Sequence, residues 1–324
     1  MNAGRPILGI VAPCYNESAI LEQTWQRLTD LLQELVAAGR VKPESFLLFV
    51  DDGSSDATWA VICAAAKSSP FVSGLKLSRN CGHQNALLAG LMRARHRADC
   101  VISIDSDLQQ DERAIFQFLE KYQEGCDIVF GVRNERKADS FLKRRTAQWF
   151  YKLMQLMGVK ILPNHADYRL ASRRVLDALA EHKEVNLFLR GVFPSLGFKS
   201  AIVYHDVGER AAGASKYTLA RMLSFALKGV TSFSVTPIRI VSCMGALIFA
   251  FSFLMSCYVL LTVAFRRTVP GWASTVLPIY FIGGLQILSL GIVGEYVGKI
   301  YTEVKRRPLY IVEEEVGLSG RDGE

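Results

Sequence analysis

The chain has 324 residues, a formal net charge of +7 and a hydrophobic fraction of 50%. Its length allows one large soluble domain with an additional module, and the hydrophobic surplus lies after residue 237. The positive charge suits phosphates or an anionic membrane surface. Nucleic acid is disfavoured because the sequence has no basic helix, zinc-finger spacing or aromatic-glycine RNA motif. The seven cysteines include no CxxC pair, so we interpret them as reduced thiols of a protein that faces the cytosol.

Strands and helices are predicted in alternation along the first 133 residues. Short apolar runs predict strands, and apolar residues at helical spacing between them predict helices. The predicted strands cover residues 7–12, 45–50, 71–77, 101–104 and 127–132. The predicted helices cover residues 18–38, 56–68, 82–95 and 111–123. This alternation is typical of βαβ units and therefore predicts an α/β fold with a mostly parallel, Rossmann-like sheet.

Polar motifs follow four of the predicted strands. They are residues 13–17, residues 51–56, residues 105–109 and Arg133. Ligands of parallel α/β sheets bind beyond the carboxyl ends of the strands, so we expect these motifs to converge on one edge of the sheet. No GxGxxG follows the first strand and no GxxxxGK[ST] occurs in the chain. Dinucleotide-dependent oxidoreductases and P-loop proteins are therefore disfavoured.

Two carboxylates follow the fourth predicted strand. Asp105 and Asp107 are two residues apart, and strand side chains at that spacing point to the same side. Together with Gln109 they offer hard oxygen ligands, which suit Mg²⁺ or Mn²⁺ when substrate phosphates complete the coordination shell. A strand that ends in a solvated Asp turn is the alternative, and this motif alone does not decide between the two.

Three of these motifs resemble those of inverting family 2 glycosyltransferases with the GT-A fold. The motifs are VAPCYNE at 11–17, VDDGSSD at 50–56 and DSDLQ at 105–109. The resemblance is strongest to the polyprenyl-phosphate glycosyltransferases, which include dolichyl-phosphate mannose synthases, bactoprenol glucosyltransferases and undecaprenyl-phosphate aminoarabinose transferases. It runs from about residue 7 to about residue 310 and so covers nearly the whole chain.

The resemblance implies roles for individual residues of these motifs. It implies a nucleotide site made of Pro13, Tyr15, Asn16, Glu17, Val50, Asp52, Asp105 and Ser106. It also implies a metal site made of Asp105, Asp107 and Gln109, with Asp107 in the catalytic set. Helix capping is the alternative role for Asp51 and Asp52.

Basic residues downstream are candidates for binding phosphates. Arg133 resembles the family's phosphate-contacting arginine. The loop ERAAGASKY at 209–217 resembles the family's Arg…Gly…Ser-Lys-Tyr loop, and it implies a catalytic role for Arg210 and Lys216 on a lid that orders over the donor. A basic surface loop is the alternative. Arg144 and Asp167 are candidates for the acceptor-phosphate side, whereas His165 is expected to be a satisfied loop histidine.

The remaining sequence predicts a membrane-associated module. Residues 144–160 and 217–234 read as amphipathic, interfacial helices, with a core helix as the alternative for the first. The uncharged runs 240–265 and 275–294 each have the length of a transmembrane helix. Basic residues after the second run outnumber those in the connector between the two runs. Both chain ends are therefore expected on the cytoplasmic side of a bacterial inner membrane. Residues 313–324 are polar and are expected to be disordered.

These elements predict four segments. They are a GT-A domain at 1–215, an interfacial helix at 216–237, a two-helix transmembrane hairpin at 238–298 and a cytosolic tail, basic and then acidic, at 299–324. A homotetramer is expected only by analogy with related enzymes.

The expected reaction transfers a single sugar from a nucleoside-diphosphate sugar to a polyprenyl phosphate for cell-envelope or lipopolysaccharide modification. The connector VPGWA at 269–273 resembles that of bactoprenol glucosyltransferases and favours glucose, while aminoarabinose, N-acetylhexosamine and mannose stay open. A processive polysaccharide synthase is the enzymatic alternative, but the chain lacks the Gln-x-x-Arg-Trp motif and the additional spans of those proteins. A non-catalytic membrane scaffold is the alternative from another class of protein.

Overall fold

The computed structural model describes residues 4–107, 109–134, 165–182, 184, 189–206 and 272–318, together with isolated positions between 238 and 261. The chain forms two compact units. The first unit comprises residues 1–151, 160–218 and 308–324, and the second comprises residues 152–159 and 219–307.

One mixed sheet runs through the first unit. Its strands within the described residues are β1 (Leu8–Cys14), β2 (Phe46–Asp51), β3 (Val72–Leu77), β4 (Cys100–Ser103), β5 (Ile128–Arg133), β6 (His165–Ser172), β7 (Ser200–His205) and β8 (Val312–Val316). The spatial order is β7-β5-β6-β4-β1-β2-β3-β8. The pairs β1–β2, β1–β4, β2–β3 and β5–β7 are parallel. The predicted α/β fold with a mostly parallel sheet is therefore confirmed.

Helices of the first unit connect these strands. They are α1 (Ser18–Ala37), α2 (Thr58–Ser68), α3 (His83–Ala94), α4 (Ala114–Gln123), α5 (Arg173–Ala180) and α6 (Leu189–Ser195). Every residue of β1 and β2 is buried, as expected for central parallel strands that are covered on both faces. Helix α3 approaches these strands closely at Gly90, where a Cβ atom would lie 2.4 Å from Val11 Cγ1 and 2.7 Å from Val50 Cγ2.

Strand β6 runs against the direction of its neighbours. It lies between β4 and β5 and is antiparallel to both, with Ser103 in register with Arg169. The beginning of β6 therefore lies at the same edge of the sheet as the carboxyl ends of β4 and β5. This reversal brings Asp167, the third residue of β6, close to Asp105 of the predicted metal motif.

The acidic C-terminal stretch is ordered in part. The prediction that residues 313–324 are disordered is wrong for residues 313–316, which form most of β8 and pair with β3. The side chains of Glu313, Glu314 and Glu315 each form an ion pair at this edge of the sheet. Lys76 Nζ lies 3.1 Å from Glu313 Oε2 and 3.0 Å from Glu314 Oε1, and Arg93 Nη2 lies 2.8 Å from Glu315 Oε2. Composition alone did not reveal these partners, because they are distant in sequence.

The second unit contains the long helix α7 (Trp272–Lys305), which includes the predicted second span. Over the part of the chain that the structure describes, no helix combines the length and the hydropathy needed to cross a membrane. Most of the first predicted span lies outside the described residues, as do both predicted interfacial helices. The two-helix hairpin stays a prediction.

Val316 offers a test of the attachment of β8. This side chain is half-buried against the core and in register with Gly74, whereas Val312 on the same strand is exposed. We expect Val316→Asp to lower the free energy of unfolding of the first unit by about 1–3 kcal/mol, because it buries a charge without a partner. Val312→Asp is the matched control and should change it by less than about 0.5 kcal/mol. Equal effects in chemical denaturation would contradict the packing of β8.

Candidate active site

The loop after β1 is fixed to the loop after β2. Asn16 adopts a left-handed backbone conformation with φ of 55°, which its short polar side chain tolerates. Its backbone N–H donates to Ser54 Oγ at 3.0 Å, and its side-chain Oδ1 accepts from the Ser55 N–H at 2.9 Å. Glu17 N–H donates to Thr58 Oγ1 at 3.0 Å. These bonds place the two predicted nucleotide-binding loops side by side.

Asp52 connects this pair of loops to the start of α3. Its backbone N–H donates to the Cys14 carbonyl, and its carboxylate accepts from the N–H groups of Cys81 at 2.7 Å and Gly82 at 2.9 Å. Burial raises the pKa of Asp52, and the two backbone hydrogen bonds oppose that shift. Helix capping was the alternative role for Asp51 and Asp52. In the structure both aspartates accept hydrogen bonds from loop backbone, and Asp51 accepts from the Ser54 N–H.

The turn after β4 contains both predicted aspartates, Asp105 and Asp107. Ser106 between them is buried, and its hydroxyl donates to the Pro13 carbonyl at 3.1 Å. Asp105 is held by Gln110, whose amide Nε2 donates to Asp105 Oδ2 at 2.6 Å and whose Oε1 accepts from the Asp105 N–H. Asp107 is partly exposed and accepts from the Gln109 N–H at 3.2 Å. The common orientation of Asp105 and Asp107 stays a prediction.

A cluster of charged side chains that includes Asp105 was not predicted as a cluster. We call it the β6 cluster; its members are His83, Asp105, Asp167, Arg169 and Arg190. Asp167 is 4% exposed and accepts hydrogen bonds from Arg169 and from Arg190, whose Nη2 lies 2.9 Å away. His83 Nε2 lies between the carboxylates, 3.6 Å from Asp105 Oδ1 and 3.5 Å from Asp167 Oδ2.

The protonation of the β6 cluster follows from these contacts. Burial alone would raise the pKa of Asp167, but hydrogen bonds and charges of His83, Arg169 and Arg190 hold it well below its ordinary value. Burial raises the pKa of Asp105, with His83 opposing. Burial would lower the pKa of His83, but Asp167 and Asp105 outweigh it and raise that pKa. Asp167 is therefore a firmly ionised group and a weak proton acceptor.

The other predicted site residues fall into three groups. Pro13 and Val50 are buried in paired strands, while Tyr15 is 46% exposed beyond β1. Arg133 is exposed at the carboxyl end of β5, where Val132 pairs with His165 at the beginning of β6, so it lies at the same edge of the sheet as the end of β4. Three predicted residues lie outside the described part of the chain: Arg144, Arg210 and Lys216.

The β6 cluster could be anticipated only in part. His83 directly follows Gly82 at the start of a predicted helix beyond the third strand, so it could be placed at the functional edge of the sheet. Arg169 and Arg190 carried no such signal, because their partner Asp167 lies on a reversed strand that alternation does not predict.

The chemistry of the turn after β4 fits a divalent cation. Among the described residues, no three side chains of His, Cys, Asp or Glu come together as a metal site. Mg²⁺, however, is commonly bound by one or two carboxylates together with substrate phosphates and water. Asp107 and Asp105 supply carboxylates of this kind, and Gln109, whose backbone N–H donates to Asp107 Oδ1, would add its neutral amide oxygen.

Comparison with known proteins identifies the family of the chain. Residues 9–180 match the sequence profile described as Glycosyl transferase family 2. The chain belongs to this family. The glycosyltransferase YkoT of Bacillus subtilis (strain 168) is 49% identical over 313 residues, which cover 97% of this chain and 93% of YkoT.

The chain is also similar to one further relative and to one solved structure. The SfII prophage-derived bactoprenol glucosyl transferase of Shigella flexneri is 39% identical over 309 residues, covering 94% of this chain and 97% of that protein. The crystal structure of mannosyl-3-phosphoglycerate synthase from Rubrobacter xylanophilus is similar at 18% identity and a TM-score of 0.48, covering 74% of this chain and 75% of that one. The profile match and the two relatives identify the protein as a family 2 glycosyltransferase, as its motifs predicted.

The depressed pKa of Asp167 predicts how stability depends on pH. A carboxyl group whose pKa is lower in the folded state contributes stability above its ordinary value of 3.8, and this contribution is lost as pH falls below that value. We expect the melting temperature of the wild type to fall more steeply between pH 5 and about pH 3 than that of Asp167→Asn. The variant should also be less stable at pH 7, because it leaves two arginines without their carboxylate. Parallel pH profiles would contradict the assignment.

Proposed function

We propose that this glycosyltransferase transfers one sugar from a nucleoside-diphosphate sugar to undecaprenyl phosphate and inverts the anomeric centre. UDP-glucose is the first candidate donor. The observation that carries the proposal is the similarity to a bactoprenol glucosyl transferase along 94% of the chain, in a protein whose polar loops meet beside Asp105 and Asp107. Such a lipid-linked sugar would be used to modify glycans of the cell envelope or lipopolysaccharide.

The first two loops would bind the nucleotide. The contacts of Asn16 with Ser54 and Ser55 connect the backbones of both loops. Tyr15 is exposed at this position and can cover a base or ribose. Asp52 supports the site by accepting hydrogen bonds from the backbone N–H groups of Cys81 and Gly82.

The turn after β4 would face the diphosphate. Asp105, Asp107 and Gln109 are the residues that would hold Mg²⁺ or Mn²⁺. When bound, such a cation neutralises charge on the diphosphate leaving group. Arg133 at the end of β5 would hold a phosphate group, and Arg210 and Lys216 are the further candidates for that role.

The acceptor chemistry does not require a strong base. A phosphate monoester has a second pKa of about 6 and is largely dianionic at neutral pH. Its oxygen can therefore attack the anomeric carbon without losing a proton to the protein. Asp167 supports this view, since Arg169, Arg190 and His83 hold its pKa well below the ordinary range and make it a poor general base. Arg144 would lie on the acceptor side.

A lipid acceptor places the reaction at a membrane surface. We propose that the second unit anchors the enzyme through two spans, 240–265 and 275–294, in a bacterial inner membrane. Both chain ends and the catalytic unit would then face the cytoplasm, where nucleotide sugars occur. A homotetramer is part of this proposal by analogy alone.

The assay uses purified full-length protein in detergent with undecaprenyl phosphate. Four donors are supplied in turn: UDP-glucose, UDP-N-acetylglucosamine, UDP-4-deoxy-4-formamido-arabinose and GDP-mannose. Each is tested with Mn²⁺, Mg²⁺ or EDTA, and the glycolipid is detected by mass spectrometry. A monoglycosylated lipid formed from one donor in the presence of metal supports the proposal. Donor binding without any lipid product would refute the proposed acceptor.

Asp107→Asn separates an enzyme from a scaffold. We expect the rate of transfer to fall by about 100-fold or more, because the carboxylate nearest the diphosphate loses its charge. Asp177→Asn changes an exposed aspartate on α5 in the same way and should leave the rate within about twofold of wild type. Full activity of Asp107→Asn would show that this carboxylate is not part of the site.

A further inference from the structure

The turn after β4 is closed by a glutamine that has no part in the mechanism above. Gln110 is 2% exposed, and its side-chain amide contacts Asp105 at two points. Its Nε2 donates to Asp105 Oδ2 at 2.6 Å, and its Oε1 accepts from the Asp105 backbone N–H at 3.0 Å. A primary amide carries a donor and an acceptor without a charge, which is what these two contacts require. Gln110 therefore holds both the backbone and the carboxylate of Asp105.

The contact with Gln110 distinguishes the two oxygens of the Asp105 carboxylate. Oδ2 accepts from the amide, whereas Oδ1 lies 3.6 Å from His83 Nε2, beyond hydrogen-bonding distance. The side chain of Asp105 is 29% exposed, so a ligand can reach it. Because Oδ2 is held, rotation of the carboxylate is restricted, and Oδ1 is the oxygen left for a cation.

A buried threonine holds the backbone between the two aspartates of the turn. Thr24 is 1% exposed on α1, and its hydroxyl oxygen lies 2.9 Å from the Ser106 carbonyl oxygen and 3.0 Å from that of Ile20 in its own helix. A hydroxyl has one hydrogen to donate, so the two carbonyl groups share it. A bond to Ile20 alone would be the ordinary behaviour of a helical threonine. The contact with Ser106 instead connects α1 to a residue 82 positions further along the chain.

Contacts on either side complete the support of the turn. The Ser106 hydroxyl donates to the Pro13 carbonyl at 3.1 Å, and the Tyr168 hydroxyl donates to the Asp111 carbonyl at 2.9 Å. The turn is therefore bound to β1, α1 and β6. Of all these contacts, the one through Gln110 reaches a carboxylate oxygen directly.

Such support has a consequence for a cation that is held by few protein ligands. Mg²⁺ and similar ions are commonly bound by one or two carboxylates, with substrate phosphates and water in the other positions. A carboxylate that rotates freely must be ordered when the cation binds, and this ordering reduces the affinity. Groups that hydrogen-bond to metal ligands typically raise metal affinity or activity by about 10- to 100-fold for this reason.

We propose that Gln110 and Thr24 are positioning residues for the cation. Gln110 orients the Asp105 carboxylate, and Thr24 fixes the backbone between Asp105 and Asp107. The inference rests on the proposed function, in which this turn holds Mg²⁺ or Mn²⁺. Neither residue is among those to which the resemblance implies a role.

The test measures the affinity for Mn²⁺ directly. Full-length protein in detergent with saturating UDP is titrated with Mn²⁺, and the free ion is followed by electron paramagnetic resonance. Gln110→Met keeps the length of the side chain and removes both amide contacts, so we expect it to weaken Mn²⁺ binding by about 10-fold or more. Gln117→Met makes the same change at an exposed position of α4 and should leave the affinity within about twofold of wild type.

A second pair of variants tests the support from α1. Thr24→Val keeps the shape of the side chain and removes its hydroxyl, and we expect it to weaken Mn²⁺ binding by about threefold, the effect of one hydrogen bond. Thr29→Val is the matched control. Thr29 is also buried on α1, but its hydroxyl has no hydrogen-bond partner among the residues that the structure describes. Its replacement should leave the affinity for Mn²⁺ unchanged.

The rate of sugar transfer separates positioning from a purely structural role. At limiting Mn²⁺, we expect kcat/KM of Gln110→Met to fall by about the same factor as its Mn²⁺ affinity. At saturating Mn²⁺, the rate should return to within about threefold of wild type, because excess cation compensates for weaker binding. A distorted fold would not be corrected in this way.

Three outcomes would overturn the inference. An unchanged Mn²⁺ affinity in folded Gln110→Met would leave its contacts a purely structural role. Tighter binding would show that the amide competes with the cation for Asp105 Oδ2. A rate that stays low at saturating Mn²⁺ would assign Gln110 to another step.

Two further measurements keep these outcomes distinct. Melting temperatures identify variants that do not fold, and if Gln110→Met is unfolded, Thr24→Val and the shorter amide of Gln110→Asn carry the same comparison. A wild type that binds Mn²⁺ with UDP but glycosylates no lipid would refute the proposed acceptor alone, because the affinity comparison involves no lipid. A wild type that binds no Mn²⁺ in the presence of UDP would overturn the inference, whatever lipid product forms.

Discussion

Asp167 is the group on which one half of the site depends. A carboxylate that is 4% exposed cannot remain charged without partners, because its desolvation costs several kcal/mol, on the order of what a buried ion pair returns. Its partners come from three different elements: Arg169 from β6 itself, Arg190 from α6 and His83 from the start of α3. Satisfying one buried charge therefore fixes three segments that are far apart in sequence. The reversed direction of β6 makes this possible, since it brings Asp167 to the edge where β4 ends.

The other half of the site is organised by backbone hydrogen bonds. Asp52 holds the N–H groups of Cys81 and Gly82, and Asn16 holds the loop after β2. These bonds satisfy polar groups that would otherwise face a ligand pocket without partners. The two sides of the site therefore differ: side chains bind backbone N–H groups on the β1–β2 side, and ion pairs form on the β6 side, with the two aspartates after β4 between them.

The sequence predicted the first half of the sheet well, for a physical reason. Central parallel strands are buried on both faces, so each appears as a continuous apolar run, and β1 to β5 start and end within about two residues of the predicted limits. The antiparallel strand β6 gave a weaker signal, and β7 gave none because exposed residues alternate along it. Strand β8 was missed because its acidic residues are typical of disorder unless matched by distant cations. Pairing of this kind, like that of Asp167 with Arg190, is invisible in a single sequence.

The pairing of the C-terminal strand β8 with β3 affects how the chain folds during synthesis. Strand β3 is synthesised early, yet its outer edge is closed only by β8, after the entire segment 219–307 has been translated. At typical elongation rates of about 5–20 residues per second, this edge stays open for roughly ten to fifty seconds. Unpaired strand edges are sites of intermolecular association. Each nascent chain therefore passes through a period in which its nucleotide-binding side can pair with another copy or be covered by a chaperone, and completion of the C-terminal strand ends that period.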